Sequence, residues 1–409
     1  MDRLLKYIAF SILLTLSGCL RAENLLVAFT QITNTVQSNP NGFKQLYIPA
    51  YFDGLYAFIG SGHGSTNLGV YANLNGFLQD IATDQTHIPN GSGQFQTFES
   101  SSDNLAARQL LSINDNALVF LGTGSFLQSG IYQYQNKNLS MIANQKTSMP
   151  GANGDFQYFA FPSVLADNGV GFWAAGAENQ EGIFLADKTG KLHSLVSTST
   201  NIPLGQGSFT HLAPVNFALT SNSDNPTFAF VGEGSNGQLG LYRYKDGKIH
   251  LVANENTQLP SGGTGFFTHF NEIDYDGTTN SIAFIAGGIL NQDGVFYNNG
   301  EQTYEIANTQ SFIPEGVGTF NQFSELSTYG RFIVFHGNGT NQQKGIYLYS
   351  GDTGSIYKVL DNTDKLNRKT IKNIYIGPES LYKNHLALLV TFTDGTQSIE
   401  IATFQISPN

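Results

Sequence analysis

The feature that most constrains this chain is that it repeats itself. One unit reads PSGGTGFFTHF at 260–270, SIAFIAGG at 281–288, GVFY at 294–297 and TYEIAN at 303–308. The unit before it reads PLGQGSFTHL at 203–212, TFAFVGEG at 227–234, GLYRY at 240–244 and IHLVAN at 249–254. Further copies open at PNGSGQFQTF (89–98), PGANGDFQYF (150–159) and PEGVGTFNQF (314–323), with weaker ones at NGFKQL (41–46) and TIKNI (370–374). The anchoring apolar residues Phe43, Phe95, Phe156, Phe209, Phe267, Phe320 and Ile371 recur about every 55 residues.

Each unit holds four short runs rich in Val, Ile, Phe and Tyr, separated by Gly-, Asn- and Asp-rich turns, which is the pattern of a β-propeller blade. Turns such as YKDGK (244–248) and ADKTGK (186–191) allow the positive φ that a tight hairpin between third and fourth strands requires. A solenoid would carry distinct polar caps at its ends. Here the last unit stops after HLALLVTF (385–392) and SIEIATF (398–404), without a fourth strand, while NLLVAFTQIT (24–33) resembles the fourth-strand segment IHLVANENT (249–257). The expected fold is therefore all-β: a seven-bladed β-propeller with four antiparallel strands per blade, closed by an N-terminal strand near 25–31 that completes the last blade. Closure hides sheet edges that invite aggregation.

Composition narrows the function classes. Charged residues make up 12% of the chain, and 20 Lys and Arg stand against 31 Asp and Glu, a net charge of −11, so nucleic acid is not an expected partner. Phe (31) and Tyr (19) supply more apolar surface than a disordered chain carries. A single Cys excludes a disulfide framework.

That cysteine has a telling place. A short basic start, MDRLLK, precedes an apolar run from Tyr7 to Leu16, too short to span a membrane, and the run ends in Leu16-Ser17-Gly18-Cys19. This resembles the lipobox of bacterial lipoproteins. The resemblance implies a signal peptide at 1–18, lipidation of the Cys19 sulfur, and a single propeller domain over 19–409. Leu20 resembles the residue that follows the cysteine in lipoproteins routed to the outer membrane. An ordinary secretory peptide cut after Ala22 is the alternative. Either way the expected address is the cell envelope, as an outer-membrane lipoprotein or a periplasmic or secreted protein, with membrane contact through the lipid anchor only. The units also resemble uncharacterised secreted bacterial propeller families, with P-x-G-x-G-x-F-x-x-F, F-x-G, G-I-Y and L-x-x-V-A; that likeness implies fold and setting and carries no catalytic residues.

Antiparallel alternation puts the loops entering first strands on the same side as those joining second to third strands. The latter include GTGSFLQSG (122–130), GEGSNGQLG (232–240) and HGNGTNQQKG (336–345). One face thus gathers most of the Gly-rich loops, and rigid scaffolds present function on loops. A recurring glutamine (Gln128, Gln180, Gln238, Gln292, Gln343) is expected to tie loop backbone there, as polar turn residues do.

The two positions after each anchor are polar in all units: Lys44-Gln45, Gln96-Thr97, Gln157-Tyr158, Thr210-His211, Thr268-His269, Asn321-Gln322 and Lys372-Asn373. On the innermost strand they would line a central channel, and Lys44, Gln45, Tyr158, His211, His269, Gln322 and Lys372 are the expected ligand-binding residues. His211 and His269 share one position in adjacent blades, where two imidazoles could act as acid and base. A catalytic metal needs about three protein ligands, and no third His or carboxylate shares that position, so neither metal nor cofactor is expected. No nucleophile elbow, zinc-protease or P-loop motif occurs. DYDGTT (274–279) lacks the Glu of a calcium loop and reads as a turn, and KLNRKTIK (365–372) reads as a solvated basic loop. The leading expectation is a lipid-anchored binding or scaffold module for a protein or glycan. The alternative is a hydrolase or lyase acting on a sugar or small ester through His211 and His269.

Overall fold

A computed structural model describes residues 23–35, 42–62, 64, 66–74, 76–98, 110–125, 128–217, 221–260, 265–289 and 292–408. Cys19 and the proposed signal peptide lie outside the described residues. The strands form seven antiparallel sheets, and successive sheets are successive stretches of chain, except at the junction of the two ends. We number these blades 1 to 7 and letter their strands a to d from the channel outward. In blade 4, a is Phe209–Phe217, b is Phe228–Gly234, c is Leu239–Lys245 and d is Lys248–Asn254. The c–d connection is the two-residue turn Asp246-Gly247, with φ of 52° and 71°, as the sequence requires.

Blade 7 takes its a, b and c strands from Lys369–Tyr375, His385–Phe392 and Gln397–Pro408, and its d strand from Glu23–Asn34. That N-terminal strand pairs from Glu23↔Pro408 to Asn34↔Ser398. Its side chains alternate along the strand: Leu25, Val27 and Phe29 turn toward a core containing Ile346, Leu386 and Phe404, and Leu26 faces outward. The ring is closed through this seam.

The abundance of Phe has a structural location. In blades 1 to 6 the anchor on strand a meets one aromatic ring on b and one on c, as in Phe209, Phe230 and Tyr242. Phe209 approaches Tyr242 edge-on at 5.2 Å and 83°, while Phe230 and Tyr242 stack at 5.4 Å and 24°. Both are favoured arrangements of aromatic quadrupoles. The F-x-G glycine follows from this packing: a Cβ at Gly232 would stand 2.5 Å from Phe209.

Polar stitches join neighbouring blades on the side of the ring opposite the Gly-rich loops. The Ser112 hydroxyl accepts from Val164 N–H, Asp274 from Thr328 N–H at 2.6 Å, and Ser327 from Leu381 N–H. DYDGTT is the a–b turn of blade 5. Asp276 accepts from Thr278 and Thr279 within it and from Gly330 N–H of blade 6. Innermost strands are less regular than four even runs suggest. They are interrupted in blades 1, 2 and 7 and bulged in blades 3 to 6, as at Leu212/Val215. Bulges add local twist, which the crowded centre of a ring requires.

Candidate functional site

The Gly-rich loops share one face, held by two devices. The first is an apolar plug before each loop proline. Ile88, Met149, Ile202, Leu259 and Ile313 are buried and sit where a Cβ on Gly124, Gly176, Gly234, Gly288 or Gly339 would be. The second is the recurring glutamine. Gln238 donates to Ser235 O at 3.0 Å and Gln206 O at 2.9 Å, and accepts from Gln206 N–H at 2.8 Å. Gln128 repeats the pattern with Ser125 and Ser92. Gln343 accepts from Val317 N–H and donates to Asp361. In all three blades the amide reaches the neighbouring entry loop, and in Gln128 and Gln238 it binds its own loop as well. The entry loops of blades 2, 4 and 6 are consequently tied to their b–c loops, while the equivalent Gln180 and Gln292 bury an Oε1 atom without a partner among the described residues.

Two cavities open on it at the same place in consecutive blades. One, of about 340 Å³, lies between Met149–Asn153, Gln180-Glu181 and Ser197–Ser199. The other, of about 420 Å³, lies between Ile202–Gln206, Gln238 and Asn254–Asn256. Phe184 and Tyr242 hold equivalent places in their walls.

The polar positions after the anchors divide into two kinds. The first residue ties the end of strand b: Thr210 donates to Glu233 O, Thr268 to Gly287 O and Asn321 to Gly339 O. The second meets other side chains. His211 Nδ1 lies 2.8 Å from Glu181 of blade 3, whose carboxylate also accepts from Leu212 N–H at 2.9 Å. His269 Nε2 lies 3.2 Å from Asp293 of its own blade. Gln322 accepts from Asn338, and Asn373 from Lys344 of blade 6 at 3.5 Å. Lys44, Gln45, Tyr158 and Lys372 are exposed. The hydrogen bond that His211 donates to the Glu181 carboxylate raises the pKa of His211 above the ordinary imidazole value, against a smaller opposing effect of burial.

The two imidazoles therefore occupy neighbouring blades, each engaged by its own carboxylate. Among the described residues, no group of three or more His, Cys, Asp or Glu side chains converges as metal ligands. Glu181 and Asp293 start strand c, 30 and 24 residues from their histidines, so neither pairing is visible in the anchor column. The signal available was their shared column, where other blades carry Leu68, Ser129, Leu239 and Lys344. In the basic segment, Lys369 pairs with Asp394 at 3.0 Å, and Asn367-Arg368 forms a tight turn at φ 53° and 65°. Among the described residues no helix is long and apolar enough to cross a membrane.

Comparison with known proteins places this architecture. The model of DUF7453, a family of unknown function, matches residues 21–287. No curated protein matches the sequence. Among solved structures, the β-propeller domain of the Trilobed protease from Pyrococcus furiosus, described as having an open velcro topology, aligns over 90% of this chain and 99% of its own. Its identity is 9% and its TM-score 0.52. TolB from Acinetobacter baumannii aligns over 89% of this chain and 80% of its own, at 10% identity and a TM-score of 0.39. A puromycin-hydrolysing peptidase from Mycobacterium tuberculosis aligns over 89% and 61%, at 7% identity and a TM-score of 0.39. At 9% identity the likeness to the first of these is one of fold alone.

Proposed function

We propose that this chain, which belongs to DUF7453, a family of unknown function, is a binding module of the cell envelope, held by a lipid on Cys19, that engages a protein or glycan through its Gly-rich loop face. The supporting observation is the clamping of that face. Gln128, Gln238 and Gln343 bind loop backbone at corresponding places, and buried Ile88, Ile202 and Ile313 plug the same loops. Loops fixed before binding lose little entropy on binding, which is the usual basis of a preorganised recognition surface.

A second reading has one observation in its favour, an oriented imidazole beside the channel. His211 with Glu181 would act as a general acid toward a sugar or small ester, because the carboxylate favours the protonated ring. The two readings separate by capture from envelope extract, followed by identification of bound proteins and glycans. Wild type, a loop-face variant (Gln206→Ala with Gln238→Ala) and His211→Ala serve as baits. Capture lost only with the loop variant supports the binding module. Substrate turnover abolished by His211→Ala, with capture indifferent to the loops, overturns it. Anchoring is tested separately: Cys19→Ala should release the protein from the membrane fraction, and continued membrane association would exclude the lipid.

A further inference from the structure

The repeat itself shows where the loop face departs from a scaffold role. In blades 2 and 3 the entry loops carry polar or small residues: His87, Asn90, Ser92 and Gln94, then Ser148, Gly151, Asn153 and Asp155. At the same four columns, blades 4 to 6 introduce Leu204, Phe266, Phe312 and Val317, and the blade 5 b–c loop adds Ile289. These side chains are 92%, 53%, 82%, 68% and 57% exposed. Ile289 lies against the entry loop of its own blade, 3.7 Å from where a Cβ on Gly265 would stand. Apolar groups this exposed contribute almost nothing to the core, and their recurrence on one face of three successive blades points to an interaction site.

Leu204 adds an independent sign. Its φ is 60°, a left-handed conformation that blades 2 and 3 meet with Asn90 (φ 55°) and Gly151 (φ 76°), residues suited to it, and blade 6 with Glu315 (φ 56°). Leucine is disfavoured there and gains no burial in return. Backbone strain kept without a packing benefit points to a role outside the fold.

The charge on the same arc selects the occupant. Glu178, Glu255 and Glu315 lie on the loops of blades 3 to 6, and Glu233 and Asp293 at the strand ends that border those loops. The cations there are Lys146, exposed on the entry loop of blade 3, Lys344 and Lys358, and Lys358 is already within 4 Å of Asp361, Asp364 and Glu315. An anionic lipid surface and a second copy of this acidic face would both meet like charge. We propose that the loop face of blades 4 to 6 docks a cationic amphipathic polypeptide, its apolar side chains seated on Leu204, Phe266 and Phe312 and its Lys or Arg residues facing the carboxylates. This rests on the binding-module reading and names its partner class.

The test uses the purified protein and fluorescence anisotropy with a synthetic amphipathic Lys/Leu peptide, its Glu/Leu counterpart and phosphatidylglycerol vesicles. The Lys/Leu peptide should bind, and more weakly as salt rises. Leu204→Ser with Phe312→Ser should weaken it roughly tenfold or more. Glu233→Gln with Glu315→Gln should weaken it and flatten the salt dependence, while Phe77→Ser, in a c–d hairpin on the opposite face, should change nothing. All these residues are exposed, so unchanged thermal unfolding certifies the variants. Several outcomes would overturn the proposal: Lys/Leu binding indifferent to both sets of substitutions, preference for the Glu/Leu peptide or the vesicles, or self-association that Phe312→Ser abolishes. If the Lys/Leu peptide is ignored while envelope capture still depends on Gln206 and Gln238, the partner class fails and the binding module stands. If capture loses that dependence too, both fail.

Discussion

The F-x-G glycine offers a quantitative test of how a blade is packed. Replacing Gly232 with Ala would place a methyl 2.5 Å from Phe209 Cε1, 2.7 Å from its Cδ1 and 3.3 Å from Tyr242 Cε2. Carbon atoms in contact normally stand about 3.5–4.0 Å apart, so the Phe209 ring must retreat by roughly 1 Å. Overpacking of that order costs about 1–3 kcal/mol. Removing glycine from the unfolded chain returns about 0.4–1 kcal/mol, leaving a net loss of about 1–2 kcal/mol. The other blades indicate how the strain is relieved. Blades 1, 2, 4 and 6 combine Gly60, Gly122, Gly232 and Gly337 with Tyr71, Tyr132, Tyr242 and Tyr347, whereas blades 3 and 5 combine Ala174 and Ala286 with Phe184 and Phe296. Where strand b gains a methyl, strand c lacks the hydroxyl, and the ring is free to slide when the anchor presses on it. Gly232→Ala with Tyr242→Phe should therefore recover about 0.5–1 kcal/mol relative to the sum of the single changes. Urea denaturation of the four proteins measures this through the midpoint, at constant slope. A neutral Gly232→Ala, or strictly additive single changes, would refute the packing argument.

Two further predictions address the seam and the channel. Leu25→Ser, Val27→Ser and Phe29→Ser together remove three half-buried side chains from the closing strand and should cost about 3 kcal/mol, with a greater tendency to aggregate from the uncovered edge. Leu26→Ser on the outward face should leave the urea midpoint in place, and equal effects of the two variants would contradict the seam. For His211, the folded pKa lies above the unfolded value, so its contribution is fully present below about pH 6.5 and is lost as pH rises through the folded pKa. The stability gap between wild type and His211→Gln should be wider at about pH 6 than at about pH 9. It should stay below about 1 kcal/mol, because the ring is 40% exposed. A gap that is equal, or wider at high pH, would contradict the pairing with Glu181.

Most of the architecture was legible in the sequence because it is written in local, repeated terms. The Phe209, Phe230 and Tyr242 positions recur as Phe or Tyr at fixed spacing because blades 1 to 6 each bury an aromatic triad, and NLLVAFTQIT betrays the seam by carrying a d-strand pattern ahead of the first blade. What escaped is set by neighbours across the ring. His211 and His269 share one column of the repeat, but Glu181 reaches His211 from the preceding blade and Asp293 reaches His269 from within its own, an asymmetry no column shows. Leu204 and Phe312 interrupt polar columns of the repeat, but an apolar residue in a sequence reads first as core, and it is their exposure that places them on the surface.

The most direct test of the account is hydrogen exchange of the free protein against the protein saturated with the partner obtained by envelope capture. The account predicts slowed exchange in the loops at 201–208, 254–260, 308–319 and 338–344, with the c–d turns near 136–137, 187–190 and 246–247 unchanged. Slowed exchange at those turns, with the loop face unaffected, would contradict it.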